Sequence, residues 1–114
     1  MEIEYGCLYT ADLNPKFGTE PGKVRPVLVV QTDLLNRTEH SSTLVCLLTT
    51  QVRKEIDLLR VHLRKGEGGL KEESDVMMDQ VRAIDNRRFV KKLGRLPNSS
   101  LKEIQERLRV LFEL

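Results

Sequence analysis

The sequence contains no tryptophan, two tyrosines and three phenylalanines, so aromatics make up 4% of its 114 positions. That scarcity leaves no pattern of paired sheet aromatics on which successive RNA bases stack. Cysteine is almost as rare. Cys7 and Cys46 both stand in apolar, strand-like contexts, where free cysteine acts as a small hydrophobe. Two such residues make neither a CxxC pair nor a disulfide framework. The two histidines, His40 and His62, fall in a loop and on the wet face of a strand, and no His/Cys/Asp group has zinc spacing. No metal site and no cofactor are expected. The phosphate loop G-x-x-x-x-G-K-[ST] is missing, and "GEGG" reads as a turn. No apolar run approaches the roughly 20 residues of a membrane span. The N-terminus, "MEIEYG", lacks signal-peptide anatomy. These absences describe a reduced, cytoplasmic protein with no membrane partner.

What is present fits one globular domain over residues 1–114, with 39% apolar and 32% charged residues. Net charge is only +2, so the totals carry no polyanion signature. The distribution says more. Residues 81–95 carry six Lys/Arg against one Asp, whereas residues 66–79 carry five acids against one Lys. The basic block is either a solvated face or a surface that meets phosphates.

Apolar runs and turn residues divide the chain. "GCLYTADL" (6–13), "VRPVLVVQ" (24–31), "TLVCLLTT" (43–50), "DLLRVHLR" (57–64) and "SDVMMDQVRAI" (74–84) read as strands. The second is apolar enough to predict burial on both faces. The loop "NPKFGTEPGK" is long, and long ordered loops are often functional. "NRRFVKK" reads as a short helical turn and "LGRL" as a closing strand fragment. "PNSSLKEIQERLRVLFEL" is the one clear helix, with Ser100 and Glu103 in capping-box spacing. Its residues Leu101, Ile104, Leu108 and Leu111 share a face. Strands followed by one terminal helix predict a mainly β fold, a small curled sheet or barrel.

Polar residues then collect at strand ends. Pro26 belongs at a strand start and holds Arg25 extended before it. If the second and third strands are antiparallel, Arg25 and Thr49 are neighbours at one rim. An arginine fork beside a hydroxyl suits a phosphate. The plainer alternative is a surface ion pair beside a strand that merely ends in threonine.

The order of motifs adds a resemblance. "GCLYTADLNPKFGTEPGKVRPVLVVQTD", "TLVCLLTT" and "LKEESDVMMDQVRAIDNRRFVKKLGRL" together resemble the MazF/PemK/Kid family of toxin endoribonucleases over nearly the whole chain. The resemblance implies a strongly curved, SH3-like β-barrel with a C-terminal helix, working as a homodimer. It implies metal-independent cleavage of single-stranded RNA and neutralisation by a cognate MazE-like antitoxin. Arg25 matches the family's catalytic arginine, and Thr49 its catalytic hydroxyl, with Thr50 the adjacent alternative. Thr19 and Glu20 match the first loop near the scissile phosphate. Asp79 and Gln80 match base-contacting positions, and Arg82 a backbone contact. Cys7 stands where the family carries Asp or Glu, a change expected to affect packing only. A related CcdB-like toxin that binds DNA gyrase without cutting RNA is the rival. This chain ends "LRVLFEL", without the Trp-Gly-Ile typical of that group.

Overall fold

The computed structural model describes residues 1–15, 18, 19 and 23–114. Strands β1 (Cys7–Asp12), β2 (Val24–Val29), β3 (Ser42–Thr49), β4 (Arg60–Leu63), β5 (Ser74–Asp85) and β6 (Phe89–Arg95) form one sheet. Its order is β4-β5-β3-β2-β1-β6, and every pairing is antiparallel. A four-residue helix α1 (Asp33–Asn36) follows β2, and α2 (Asn98–Leu111) closes the chain. Among the described residues no helix is long and apolar enough to cross a membrane.

Alternation along the strands separates two apolar clusters, one on each face. Leu8, Leu28, Cys46, Leu48, Val61, Leu63, Val76 and Met78 gather with Leu101 and Ile104 of α2. Tyr9, Val27, Val29, Val45, Leu47 and Met77 gather on the other face with Cys7 and Ile84. Full burial of one such aliphatic side chain stabilises by roughly 2 kcal/mol, so both faces contribute to the fold. Cys7 and Cys46 are free and buried, and burial pushes the Cys46 thiol up to about 12. Cys7 packs within the second cluster.

The sheet curls strongly without closing through a strand ladder. Its edges, β4 and β6, meet instead through the glycine turn after β4. Gly68 and Gly69 lie against Leu93 and Gly94 of β6, and a Cβ on Gly69 would sit 2.4 Å from the Leu93 carbonyl oxygen. Gly69 also holds φ +80°, so two independent constraints require glycine there. The expected barrel is therefore an open, curled sheet sealed at one corner by backbone contact.

Three local expectations change. Burial on both faces of β2 holds only for Val27–Val29, because Val24 is exposed and Arg25 and Pro26 are half-buried. The helical turn in "NRRFVKK" is confined to a 3-10 turn at Asn86–Arg88, and residues from Phe89 onward pair with β1 as a full strand. β6 is an edge strand with a mostly wet face, so its apolar signal is weak. The capping box does not form. Pro97 occupies the N-cap without a side-chain bond, and Ser100 Oγ instead donates to Glu67 Oε2 at 2.9 Å. On α2, Leu101 and Ile104 are buried, while Val110 and Phe112 are exposed.

Gly66 holds φ +95° with nothing within 4 Å of its would-be Cβ, and it serves as the control for Gly69. Alanine at either position is left-handed and costs about 1 kcal/mol; only Gly69→Ala adds a backbone collision. Urea unfolding is expected to show about 1 kcal/mol lost for Gly66→Ala and at least twice that for Gly69→Ala. Equal losses would show that the β4 and β6 edges do not need this close approach.

Candidate functional site

The β2–β3 ladder runs through Val27↔Leu47, Leu28↔Cys46 and Val29↔Val45. Continued toward the start of β2, that register sets Arg25 opposite Thr49. Pro26 stands between Arg25 and the buried part of the strand and is itself opposite Thr10 of β1. The Arg25 Nη1 donates to the Leu48 carbonyl at 3.0 Å, which fixes the guanidinium at the rim. Burial first, and then the charge of Arg82, hold the Arg25 guanidinium below its usual range. The Thr49 Oγ accepts from the Gln51 amide at 3.2 Å, so its own proton remains to be donated.

Arg25, Thr49 and Thr50 line one cleft of about 580 Å³. Among the described residues, Lys23, Arg60, Lys71 and Lys91 add four more cations to its wall, against the single acid Glu72. Thr10, Gln51 and Ser74 supply further polar groups, and Pro26, Leu48, Met77 and Leu93 an apolar lining. Lys23 holds φ +60°, a strained conformation for a side-chain-bearing residue. Its amide donates to Asn14 Oδ1 at 2.8 Å, and its carbonyl accepts from Leu13 N at 2.9 Å. The long first loop thus ends in a pinned lysine at the cleft mouth. A protein with a net charge of only +2 presents here a mixed polar and apolar lining rich in cations, which suits a phosphodiester whose bases also need contact.

The other sequence candidates lie elsewhere. Asp79 and Gln80 occupy an irregularity in β5, where the β3 partner jumps from Val81 opposite Cys46 to Met77 opposite Leu47. Residues 78–80 are extra to the ladder, Asp79 exposed and Gln80 half-buried. A bulge of this kind re-aims side chains and bends its strand. Neither residue is part of the described cleft lining, nor is Arg82, although Arg82 is close enough to act on Arg25. Thr19 is exposed in the first loop, and Glu20 lies outside the described residues. Sequence reasoning missed Lys23, Arg60, Lys71 and Lys91. Lysines and arginines in turns and on edge strands have no local signature; what marks these is their convergence, which only the curled sheet creates.

The family model for the PemK-like, MazF-like toxin of type II toxin-antitoxin systems matches residues 4–112. The chain belongs to that family. It is 32% identical to Endoribonuclease EndoA of Bacillus subtilis (strain 168), over 100% of this chain and 97% of that protein. Among solved structures it is similar to MazF from Deinococcus radiodurans, with a TM-score of 0.82 and 25% identity over 100% of this chain and 99% of the other. It also shares its fold with an endoribonuclease from a mycobacterial species solved in complex with its cognate antitoxin. That likeness has a TM-score of 0.80 and 20% identity, covering 98% of this chain and 96% of the other. Both likenesses cover nearly the whole chain.

The cleft cations outside the Arg25–Thr49 pair are expected to act by charge alone. Lys71→Ala and Lys91→Ala should each weaken binding of a labelled single-stranded RNA without regard to its sequence. Each should also flatten the slope of log affinity against log salt by about 0.7. An unchanged salt slope in both variants would remove this cleft from the nucleic-acid path.

Proposed function

We propose that the protein is an endoribonuclease toxin that cuts single-stranded RNA, mRNA above all, at specific short sequences and so arrests translation and growth. The observation that carries this is the half-buried Arg25 beside Thr49 at the rim of a cation-lined cleft. It stands in a chain related along its full length to an endoribonuclease. The family is one of toxins paired with antitoxins, and the reading includes a homodimer neutralised by a cognate MazE-like antitoxin. A cytoplasmic location follows from the same reading, since that is where its RNA is translated. The gyrase-binding alternative is not favoured by the family match or by the endoribonuclease relative.

The reaction is attack of a ribose 2′-OH on the adjacent phosphorus, with the 5′-oxygen leaving. It yields a 2′,3′-cyclic phosphate and a 5′-OH, and the nucleophile comes from the substrate. The protein must align the two oxygens, stabilise a pentavalent dianion and move two protons. Arg25 offers planar donors to the non-bridging oxygens, and Thr49 donates one hydrogen bond. Burial first, and then the charge of Arg82, lower the hold of Arg25 on its proton. An arginine nonetheless keeps its proton near neutral pH, and we assign it charge stabilisation and positioning; the 2′-OH proton passes to solvent water and the departing 5′-oxygen takes one from it, so the protons balance. No metal is required for these steps. Thr19, Glu20, Asp79, Gln80 and Arg82 are assigned to holding flanking nucleotides.

Purified protein is expected to fragment a long single-stranded RNA equally with and without chelator, leaving 5′-OH ends. Arg25→Ala should abolish cleavage while keeping its circular dichroism and oligomeric state. Thr49→Ala should lose about a hundredfold in rate, the usual cost of one well-placed donor. Thr50→Ala should lose far less, because Thr50 is exposed at the turn. Near-normal cutting by Arg25→Ala would sink the assignment.

A further inference from the structure

Asp75 is only 1% exposed, yet it sits on β5 beside the buried apolar residues Val76, Met77 and Met78. A carboxylate at that depth is strongly disfavoured unless it is paired and hydrogen-bonded. Its bonds all run toward one region. Oδ2 accepts from the Arg53 amide at 2.8 Å and from Arg60 Nη1 at 3.0 Å, and Oδ1 meets His62 Nδ1 at 3.1 Å. Arg60 Nη1 also donates to the Gln51 carbonyl at 3.2 Å. Both ends of the 51–53 segment are thereby tied to β4 and β5. Gln51 in turn donates its amide to Thr49 Oγ, and Thr49 is the ladder partner of Asp75.

We propose that Asp75 is a positioning residue for RNA cleavage: through Arg60 and the Arg53 amide it clamps the turn after β3, holding the Thr49 hydroxyl and aiming Arg60 into the cleft. The inference rests on the endoribonuclease reading above. A side chain placed only for stability could be apolar, as its neighbour Val76 is. A buried ion pair is seldom better for stability than a well-packed apolar pair, so what the carboxylate adds here is a fixed orientation for Arg60 and Gln51. His62 completes the arrangement from β4, with its other ring nitrogen 3.5 Å from Glu73 Oε2.

The test compares wild type, Asp75→Asn and the double variant Asp75→Val/Arg60→Met. Each is assayed for cleavage of a defined RNA and for amide hydrogen exchange. In folded Asp75→Asn, kcat is expected to fall roughly 10- to 100-fold, the range for a slightly misplaced catalytic group, with KM within about threefold. Exchange should rise at residues 51–53 and remain unchanged in β1 and β2. The double variant replaces the ion pair with apolar groups, which offsets much of the cost of losing it, and is expected to show the same rise in exchange at residues 51–53. Because it also removes a cleft cation, its cutting is compared with that of Arg60→Met alone, and its exchange carries the test if Asp75→Asn does not fold. Wild-type kcat in either folded variant overturns the proposal, as does unchanged exchange at residues 51–53. If the wild-type protein itself cuts no RNA, the functional reading fails separately, and the exchange measurement still decides whether Asp75 clamps the turn.

Discussion

The antiparallel register of β2 against β3 is the constraint on which the rest depends. With Val27 opposite Leu47, odd-numbered residues of both strands share a face. Val27, Val29, Val45 and Leu47 are buried there. The two residues that continue the same rows past the end of the apolar stretch are Arg25 and Thr49. A slip of one position would invert every side chain on the strand and drive Arg25 under the opposite cluster. The buried valines and leucines therefore determine that Arg25 and Thr49 come to the same rim. Core and site are set by one pattern, because the site is the point at which that pattern runs out of apolar residues.

Curvature then turns a rim into a cleft. The irregularity of β5 between Met77 and Val81 bends the sheet's longest strand. The glycines after β4 let that edge come down on β6 with no intervening side chain. The consequence is chemical as well as geometric. Lys71 follows the glycine turn and Lys91 lies on β6, strands away from Arg25 in the sheet order, yet both face the same cleft. A flat sheet of the same strands would scatter these charges over separate surfaces, where solvent and salt would screen them from one another.

How much of this was legible in the sequence follows from how local each signal is. Strands β1, β2, β3 and β5 announce themselves, because each buries a continuous or alternating apolar run. Arg25 and Thr49 could be paired in advance because one proline marks a strand start and one pair of threonines a strand end. The length of β6 was hidden because an edge strand with lysines on its wet face looks like loop. The capping spacing of Ser100 and Glu103 was misleading because Pro97 already begins the helix and Glu67, across the fold, competes for the Ser100 hydroxyl. Arg60 and Asp75 gave no signal at all. Arg60 reads as an ordinary wet-face residue, and Asp75 as one more acid in a charged block, until the ladder sets Asp75 opposite His62 and diagonally across from Arg60.

The charges around Arg25 also bear on how an arginine can serve a reaction that needs proton transfer. Its guanidinium is partly withdrawn from water and faces Arg82, and both effects favour losing charge. On the proposed reading, a phosphodiester brought to the rim adds negative charge beside Arg25, which favours the protonated guanidinium. The bond from Nη1 to the Leu48 carbonyl holds that guanidinium in place. A fixed donor interacts most strongly with phosphorus oxygens when they carry their greatest negative charge, in the transition state, which is a form of differential binding. The proposed role of Arg25 therefore needs its charge and its position, and not the loss of its proton.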